Sequence, residues 1–199
     1  MTATRLPAEA RRAAVLEAAC TIFCRGTYRS TTTAEIARHA GVTEPVLYRH
    51  FRSKRDLYLA CLGESWRETR ELWEEAVADE ADPAGWLDAM ATAYLHDRRR
   101  NLAHLWLQAL TESVDDAEVR KFVRKQVQDV HQYLSDVLRR SQQAGGILAT
   151  RDIAVEAWVF ISLGLLGTVG RRLGGVVDDD FSKIMAARRE WLSGRVGPA

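Results

Sequence analysis

The stretch Thr32–Arg55, reading TTAEIARHAGVTEPVLYRHFRSKR, packs three helix starts into a short space. Thr32 with Glu35 three residues later has the spacing of a capping box, in which side chain and backbone satisfy each other's orphan donors. Thr43 is placed to cap a second short helix, with Pro45 in its first turn, where a missing N–H costs nothing. Ser53 with Asp56 three residues later opens a third. Between the first two, Gly41 can adopt the positive φ that follows a helix end. A short helix, a tight glycine turn and a second short helix make a helix-turn-helix, whose second helix normally enters the DNA major groove.

The rest of the chain arranges itself around that motif. Residues 8–25 read as a bracing helix, with Val15, Leu16, Ala19, Ile22 and Phe23 on one face and Gly26 as its stop. Tyr28 is expected to pack under the following loop, and Ile36, Val42, Val46, Leu47 and Phe51 to fill the same small core. Ser53 starts a long helix through Leu57, Leu59, Leu62, Trp66, Leu72 and Trp73 to about Ala78. No Pro/Gly linker interrupts it, so a DNA-binding domain over 1–55 and a body over 56–199 share one continuous helix. Asp82-Pro83 opens a helix to about Asp97, with Trp86, Leu87, Met90, Ala93 and Tyr94 on its apolar face. A polar break at Arg98–Asn101 precedes a helix over Leu102–Leu110. Asp115 with Glu118 starts a long helix to Ala144, ended by Gly145-Gly146. Thr150 and Asp152 begin an apolar helix to Leu173, and Asp178–Asp180 sit at the dipole-favoured start of a last one to about Ser193. The tail from Gly194 is expected to fray. With only 4 prolines and no alternating Val/Ile/Thr runs, the chain reads as all-α, with about nine helices: a three-helix head, then a helical bundle.

Charge points the same way. The formal net charge is only +1, but it is unevenly placed: residues 1–62 hold ten Lys/Arg against five acids, which leaves −4 for the remainder. A basic head on a mildly acidic body suits local contact with phosphates. The cysteines Cys20, Cys24 and Cys61 are too few for a disulfide framework and imply a reducing, cytoplasmic setting. The N-terminus, with Arg5, Glu9, Arg11 and Arg12, is no signal peptide. The most apolar run, Ala157–Gly170, is shorter than a membrane span, so no membrane partner is expected.

Thr32-Thr33, Ile36-Ala37, Ala40-Gly41-Val42, Leu47-Tyr48, His50-Phe51 and Ser53-Lys54 together resemble the N-terminal module of the TetR (tetracycline-repressor-like) family of transcription regulators. The resemblance covers residues 8–62 in sequence, and the remainder only in helix layout. It implies DNA contacts by Thr33, Thr43, Glu44, Pro45, Tyr48, His50 and Lys54. Residue chemistry adds Arg49, a candidate for bidentate guanine contact. Glu44 could accept from a cytosine amino group and Pro45 could touch a thymine methyl, while Thr33, Tyr48, His50 and Lys54 suit phosphate oxygens. The simpler alternative is that Arg49 only neutralises phosphate and Glu44 only favours a helix start.

In the body, Trp66, Trp86, Met90, Tyr94, Trp106, Phe122, Tyr133 and Trp158 spread large side chains over several helices. They could line an apolar effector pocket with His104, Gln108 and Gln126 as its polar groups, or simply fill the core. The resemblance implies a small-molecule effector there. Residues 152–173 hold Ser162, Gly164, Gly167 and Gly170 among large apolar side chains, which suits either a central core helix or a close helix interface. The resemblance favours a homodimer through 152–173 and 179–193, meeting a palindromic double-stranded operator. His96 and His104 lack metal-ligand spacing, and neither a metal, a cofactor nor a catalytic constellation is expected. The reading is therefore a homodimeric repressor released from its operator by a small, largely apolar ligand. Its rivals are control by a protein partner or by oxidation of Cys20 and Cys24, and an all-α enzyme with a vestigial head.

Overall fold

The computed structural model describes residues 7–96 and 102–195. Among them are nine α-helices, one 3-10 turn and no strand: α1 (Ala8–Arg25), α2 (Thr33–His39), α3 (Glu44–His50), α4 (Lys54–Asp79), the turn Pro83–Gly85, α5 (Trp86–His96), α6 (Leu102–Asp115), α7 (Ala117–Gln143), α8 (Ile153–Arg172) and α9 (Asp178–Ser193). The expected polar break at Arg98–Asn101 falls outside the described residues. Two compact units emerge: one holds the chain up to Arg67 with a segment that ends at Arg124, and the other holds the remainder.

The first unit contains α1–α3, the start of α4, α6 and the start of α7. Val15, Ala19 and Phe23 from α1, Ile36 from α2, Leu47 from α3 and Leu57, Tyr58 and Leu62 from α4 are all essentially inaccessible. Leu16, Ile22, Val42 and Val46, expected in that core, are only half-buried, while Ala18 and Cys20 are inside. Tyr58 is wedged against Phe23 and Tyr28, with ring centroids 5.0 and 4.8 Å away. Its hydroxyl donates to the Leu105 carbonyl at 3.2 Å, and burial pushes its ionisation well above the ordinary tyrosine value.

Gln108, read in sequence as a polar group for an effector pocket, does something else. Its Nε2 donates to the carbonyls of Gly26 at 2.7 Å and Phe23 at 3.2 Å, and its Oε1 accepts from the Tyr28 amide at 3.1 Å. Those groups lie at the C-terminal end of α1, where carbonyls have no partner within the helix. Arg29, in the same turn, bridges Glu112 and Asp115 of α6.

The caps follow the sequence with corrections. Thr32 Oγ1 accepts from the Glu35 amide at 3.2 Å. Ser53 Oγ accepts from the Asp56 amide, and Asp56 returns the bond to the amide of Arg52 rather than to Ser53 itself. Thr43 stands at the start of α3 but makes no side-chain cap. Asp115 does not open α7, because α6 runs five residues past Leu110 and ends on it. Its neighbour Asp116 accepts from the amides of Glu118 and Val119 instead. Asp82-Pro83 opens a 3-10 turn before α5 rather than the helix itself.

The second unit is a bundle of α5, α8 and α9 with the later parts of α4 and α7. Trp73, Met90, Leu134, Leu138, Ala157, Phe160, Phe181 and Met185 are buried in it. Trp73 packs against Tyr94, Tyr133 and Phe160. Asp152 caps α8 through the amides of Ala154 and Val155. Glu156 of α8 is buried and paired with Arg188 of α9. Gly167 permits the close approach of helices here: a Cβ on it would lie 2.9 Å from Leu95 Cδ2 and 3.2 Å from the Phe181 ring. α8 keeps close to the expected span. It covers 20 residues, with a window of mean hydropathy 1.8 of which 33% is buried in the fold. By length and composition alone it could cross a bilayer, a test that the core helix of a soluble protein also passes.

These contacts set two expectations for stability. Gln108→Ala leaves two carbonyls and an amide without their partner and should cost about 1–3 kcal/mol in urea unfolding. Asp82 accepts from the Ala84 amide and from Arg189 and Arg195. The Ala84 bond foremost, with the two guanidiniums adding, holds its carboxyl below the ordinary carboxylate value against the opposing effect of burial. A depressed carboxylate stabilises the fold above its unfolded value, and this is lost as pH falls through the folded one. The stability advantage of wild type over Asp82→Asn, about 1 kcal/mol or less at this partly exposed site, should be constant at neutral pH. It should fade below about pH 4 when the two are compared in urea titrations.

Candidate nucleic-acid interface

The geometry of α2 and α3 starts from Gly41, whose φ of 67° lets the chain reverse in the left-handed region. The Val42 amide then donates back to the Ala37 carbonyl at 2.9 Å, which closes the turn. α3 is anchored by Leu47, with no accessible surface, and by half-buried Val46. Pro45, Tyr48 and Arg49, at helical spacing on the opposite side, are exposed, as is Thr43 just before them. Thr33, Glu44, His50 and Lys54 are half-buried.

Three of the eight candidates form one cluster across the two helices. Thr33 Oγ1 donates to Glu44 Oε1 at 2.6 Å and lies 3.1 Å from the Tyr48 hydroxyl. Sequence spacing holds no sign of this, because Thr33 and Glu44 are eleven positions apart and only the turn at Gly41 brings them together. The cluster fixes Glu44 at the start of α3, next to hydroxyls suited to phosphate. Lys54 is turned to the α1–α2 connection: its Nζ lies 4.6 Å from the Tyr28 ring centroid and 3.5 Å from the Arg29 carbonyl. Burial lowers its ammonium's ionisation, partly opposed by Glu112.

The aromatic residues considered for an effector pocket are dispersed. Trp66, Trp106 and Phe122 fall in the first unit, and Trp86, Met90, Tyr94 and Trp158 in the second. Met90 is fully buried, whereas Trp158 is 48% exposed and stacks on His131. Tyr94 borders a small apolar gap with Trp73 and Phe160. The second unit also holds a cavity of about 950 Å³ between α5, α8 and α9. Asp88, Leu95, Arg171, Phe181, Met185 and Arg189 are on its wall; none of them was a pocket candidate in sequence, where Phe181 and Met185 are instead expected at the dimer interface. The available signal was the face of α5 formed by Asp88, Ala91, Thr92 and Leu95 at helical spacing. Among the described residues, no three His, Cys, Asp or Glu side chains gather as a metal site would require.

Comparison with known proteins bears on what this head is. Residues 15–61 match the family described as bacterial regulatory proteins, tetR family, and residues 83–164 match the C-terminal domain of BetI-type transcriptional repressors. The chain is 31% identical over 188 residues to the HTH-type transcriptional regulator TtgR of Pseudomonas putida, covering 83% of this chain and 89% of that protein. This chain belongs to the TetR family. It is a helix-turn-helix, DNA-binding transcription regulator. Solved TetR-family structures share its fold. The Cytophaga hutchinsonii regulator superposes with a TM-score of 0.82 at 15% identity, over 97% of this chain and all of that one. AibR, solved in complex with isovaleryl coenzyme A and operator DNA, superposes at 0.62 with 22% identity, over 94% of this chain and all of that one.

For this TetR-family head, the Thr33–Glu44–Tyr48 cluster makes a specific prediction. If Glu44 faces DNA, as the resemblance implies, its carboxylate repels phosphate and favours sites where a base donor compensates it. Glu44→Gln should raise affinity for random-sequence DNA and shrink the ratio of selected-site to random binding by about tenfold, measured by fluorescence anisotropy at fixed salt.

Proposed function

We propose that the protein is a homodimeric repressor that binds a palindromic operator and is released from it by a small, largely apolar ligand. The observation that carries the DNA half of this reading is the outward face of α3, where Pro45, Tyr48 and Arg49 are exposed over a buried Leu47. Thr43, Pro45 and Arg49 meet base edges, with Glu44 accepting from a cytosine amino group. Thr33, Tyr48 and His50 take phosphates, and Lys54 joins them by swinging away from Tyr28. The repressor sense is supported by the match of residues 83–164 to a repressor C-terminal domain.

The dimer half rests on α8 and α9. α8 buries Ala157, Phe160, Gly167 and Gly170 inside its own unit, and on another side exposes Val155, Trp158, Leu166, Val169 and Leu173. Trp191 of α9 is also exposed. A stripe of this size on a DNA-binding protein is what a symmetric interface requires. The same stripe accounts for the apolar character of α8 without a membrane, in keeping with a cytoplasmic regulator. Ligand control is supported by AibR, whose structure contains both an acyl-coenzyme A and operator DNA. The ligand acts by favouring the state with lower DNA affinity, through the long helix α4 and the separation of the two recognition helices.

A selection of operator sequences from a random library, using the full-length chain, tests the reading. The recovered site should have two inverted half-sites, and its affinity should fall steeply with salt. Arg49→Ala should weaken it by about 1–3 kcal/mol per half-site and relax the preference at one base pair. Leu166→Arg should produce a monomer by sedimentation. A non-symmetric site, or a monomer that binds as tightly as wild type, would overturn the dimer reading.

A further inference from the structure

We propose that the open cavity between α5, α8 and α9 is a binding site for a lipophilic organic cation, with the Asp88 carboxylate as its counter-ion. As the place where ligand control enters, this rests on the small-molecule reading above; as a binding site, it stands on the geometry of the second unit. The cavity's volume of about 950 Å³ is at the upper end of those that hold drug-sized ligands. Ala91, Leu95, Phe181 and Met185 line it and also line the adjoining gap bordered by Trp73, Tyr94 and Phe160. A flexible methionine between an open cavity and an aromatic-lined gap can give way to a ligand's apolar body.

The charges around the cavity decide the sign of the ligand. Its lining carries the carboxylates of Asp82, Asp88, Asp178 and Glu190 and the guanidiniums of Arg171, Arg189 and Arg195. The guanidiniums are engaged. Arg171 donates to the Leu95 carbonyl at 2.7 Å. Arg189 and Arg195 are held by Asp82 at 2.8 and 3.3 Å. Asp88 meets Arg189 at 3.8 Å, beyond hydrogen-bond length, and shares that charge with Asp82. Burial pushes the Asp88 carboxyl above its ordinary value, partly offset by Arg189. A half-buried carboxylate on an apolar wall, with a distant and shared partner, gains from a ligand cation what desolvation takes from it. An anion of the same size meets the Asp88 carboxylate instead. The cavity uses the side of α9 that carries Ser182, Met185, Ala186 and Arg189, whereas Trp191 projects from another side, so the apolar stripe proposed for dimerisation does not need the same surface.

Titration calorimetry of the full-length protein with tetraphenylphosphonium and with tetraphenylborate, its anionic isostere, tests this. The phosphonium should bind once per chain and at least about tenfold more tightly than the borate. Asp88→Asn should weaken it by about tenfold or more, the usual weight of a charge-assisted contact. Ala186→Trp, which adds bulk at an exposed position on the cavity wall, should also abolish binding, and thermal melts establish that both variants are folded. Equal binding of the borate, or phosphonium affinity unchanged in both variants, would overturn the site. Operator release measured in parallel keeps the two readings apart. Asp88-dependent binding without release leaves the site standing and removes its regulatory role. Release by phosphonium that neither variant affects overturns the site and leaves ligand control intact.

Discussion

An α-helix ends in carbonyls that nothing within it can satisfy, and the first unit is organised around how those of α1 are met. Gln108 reaches from α6 to the carbonyls of Phe23 and Gly26 and takes the Tyr28 amide in return. One planar amide thereby closes the end of α1, orients the turn leading to α2, and places α6 beside both. Around it, Phe23, Tyr28 and Tyr58 pack as an aromatic knot, and the buried Tyr58 hydroxyl is satisfied by Leu105, a turn earlier on α6. Arg29 adds ion pairs to Glu112 and Asp115 further along the same helix. These exposed pairs contribute little energy individually, but they extend the line of contact. The helix-turn-helix is thus held from behind by a segment far along the chain from it.

The same economy governs the DNA-facing side. Thr33 and Tyr48 are suited to phosphate, yet in the free protein the Thr33 hydroxyl is held by Glu44, and Lys54 lies against Tyr28. In the proposed mode of binding these internal contacts are exchanged for external ones. That exchange lowers net affinity for any phosphate backbone and leaves discrimination to the base edges, which is the balance a regulator needs among many competing sites.

In the second unit, α8 shows how one helix serves two purposes. Its glycines at 167 and 170 admit Leu95, Phe181 and Val177 on the inner side, while Val155, Trp158, Leu166 and Val169 are exposed on another. The core-helix reading of its composition describes the inner face, and the exposed face is the one proposed above for the dimer. Gly164, read in the same series, has nothing within 4 Å of where its Cβ would be.

How much of this could be read from the residues alone depends on the range of the interaction. The helices, the glycine turn and most caps are set by neighbours within about four positions, so Thr32, Ser53 and Asp152 act as their spacing implies. Where two aspartates stand side by side, as Asp115 and Asp116 do, spacing to Glu118 selects the wrong one, because the cap depends on where α6 stops. The outward face of α3 was equally legible, since burial of Leu47 fixes which side Pro45, Tyr48 and Arg49 take. Tertiary structure alone decided what long-range partners do with polar groups. It assigned Gln108 to the α1 terminus, Glu44 to Thr33, and Asp88 to a cavity wall opposite α9. Helix periodicity records which face is apolar but carries no information about which distant helix will cover it. For that reason the sequence by itself determined the fold class and the DNA-binding head, and only packing could determine where the body opens a cavity.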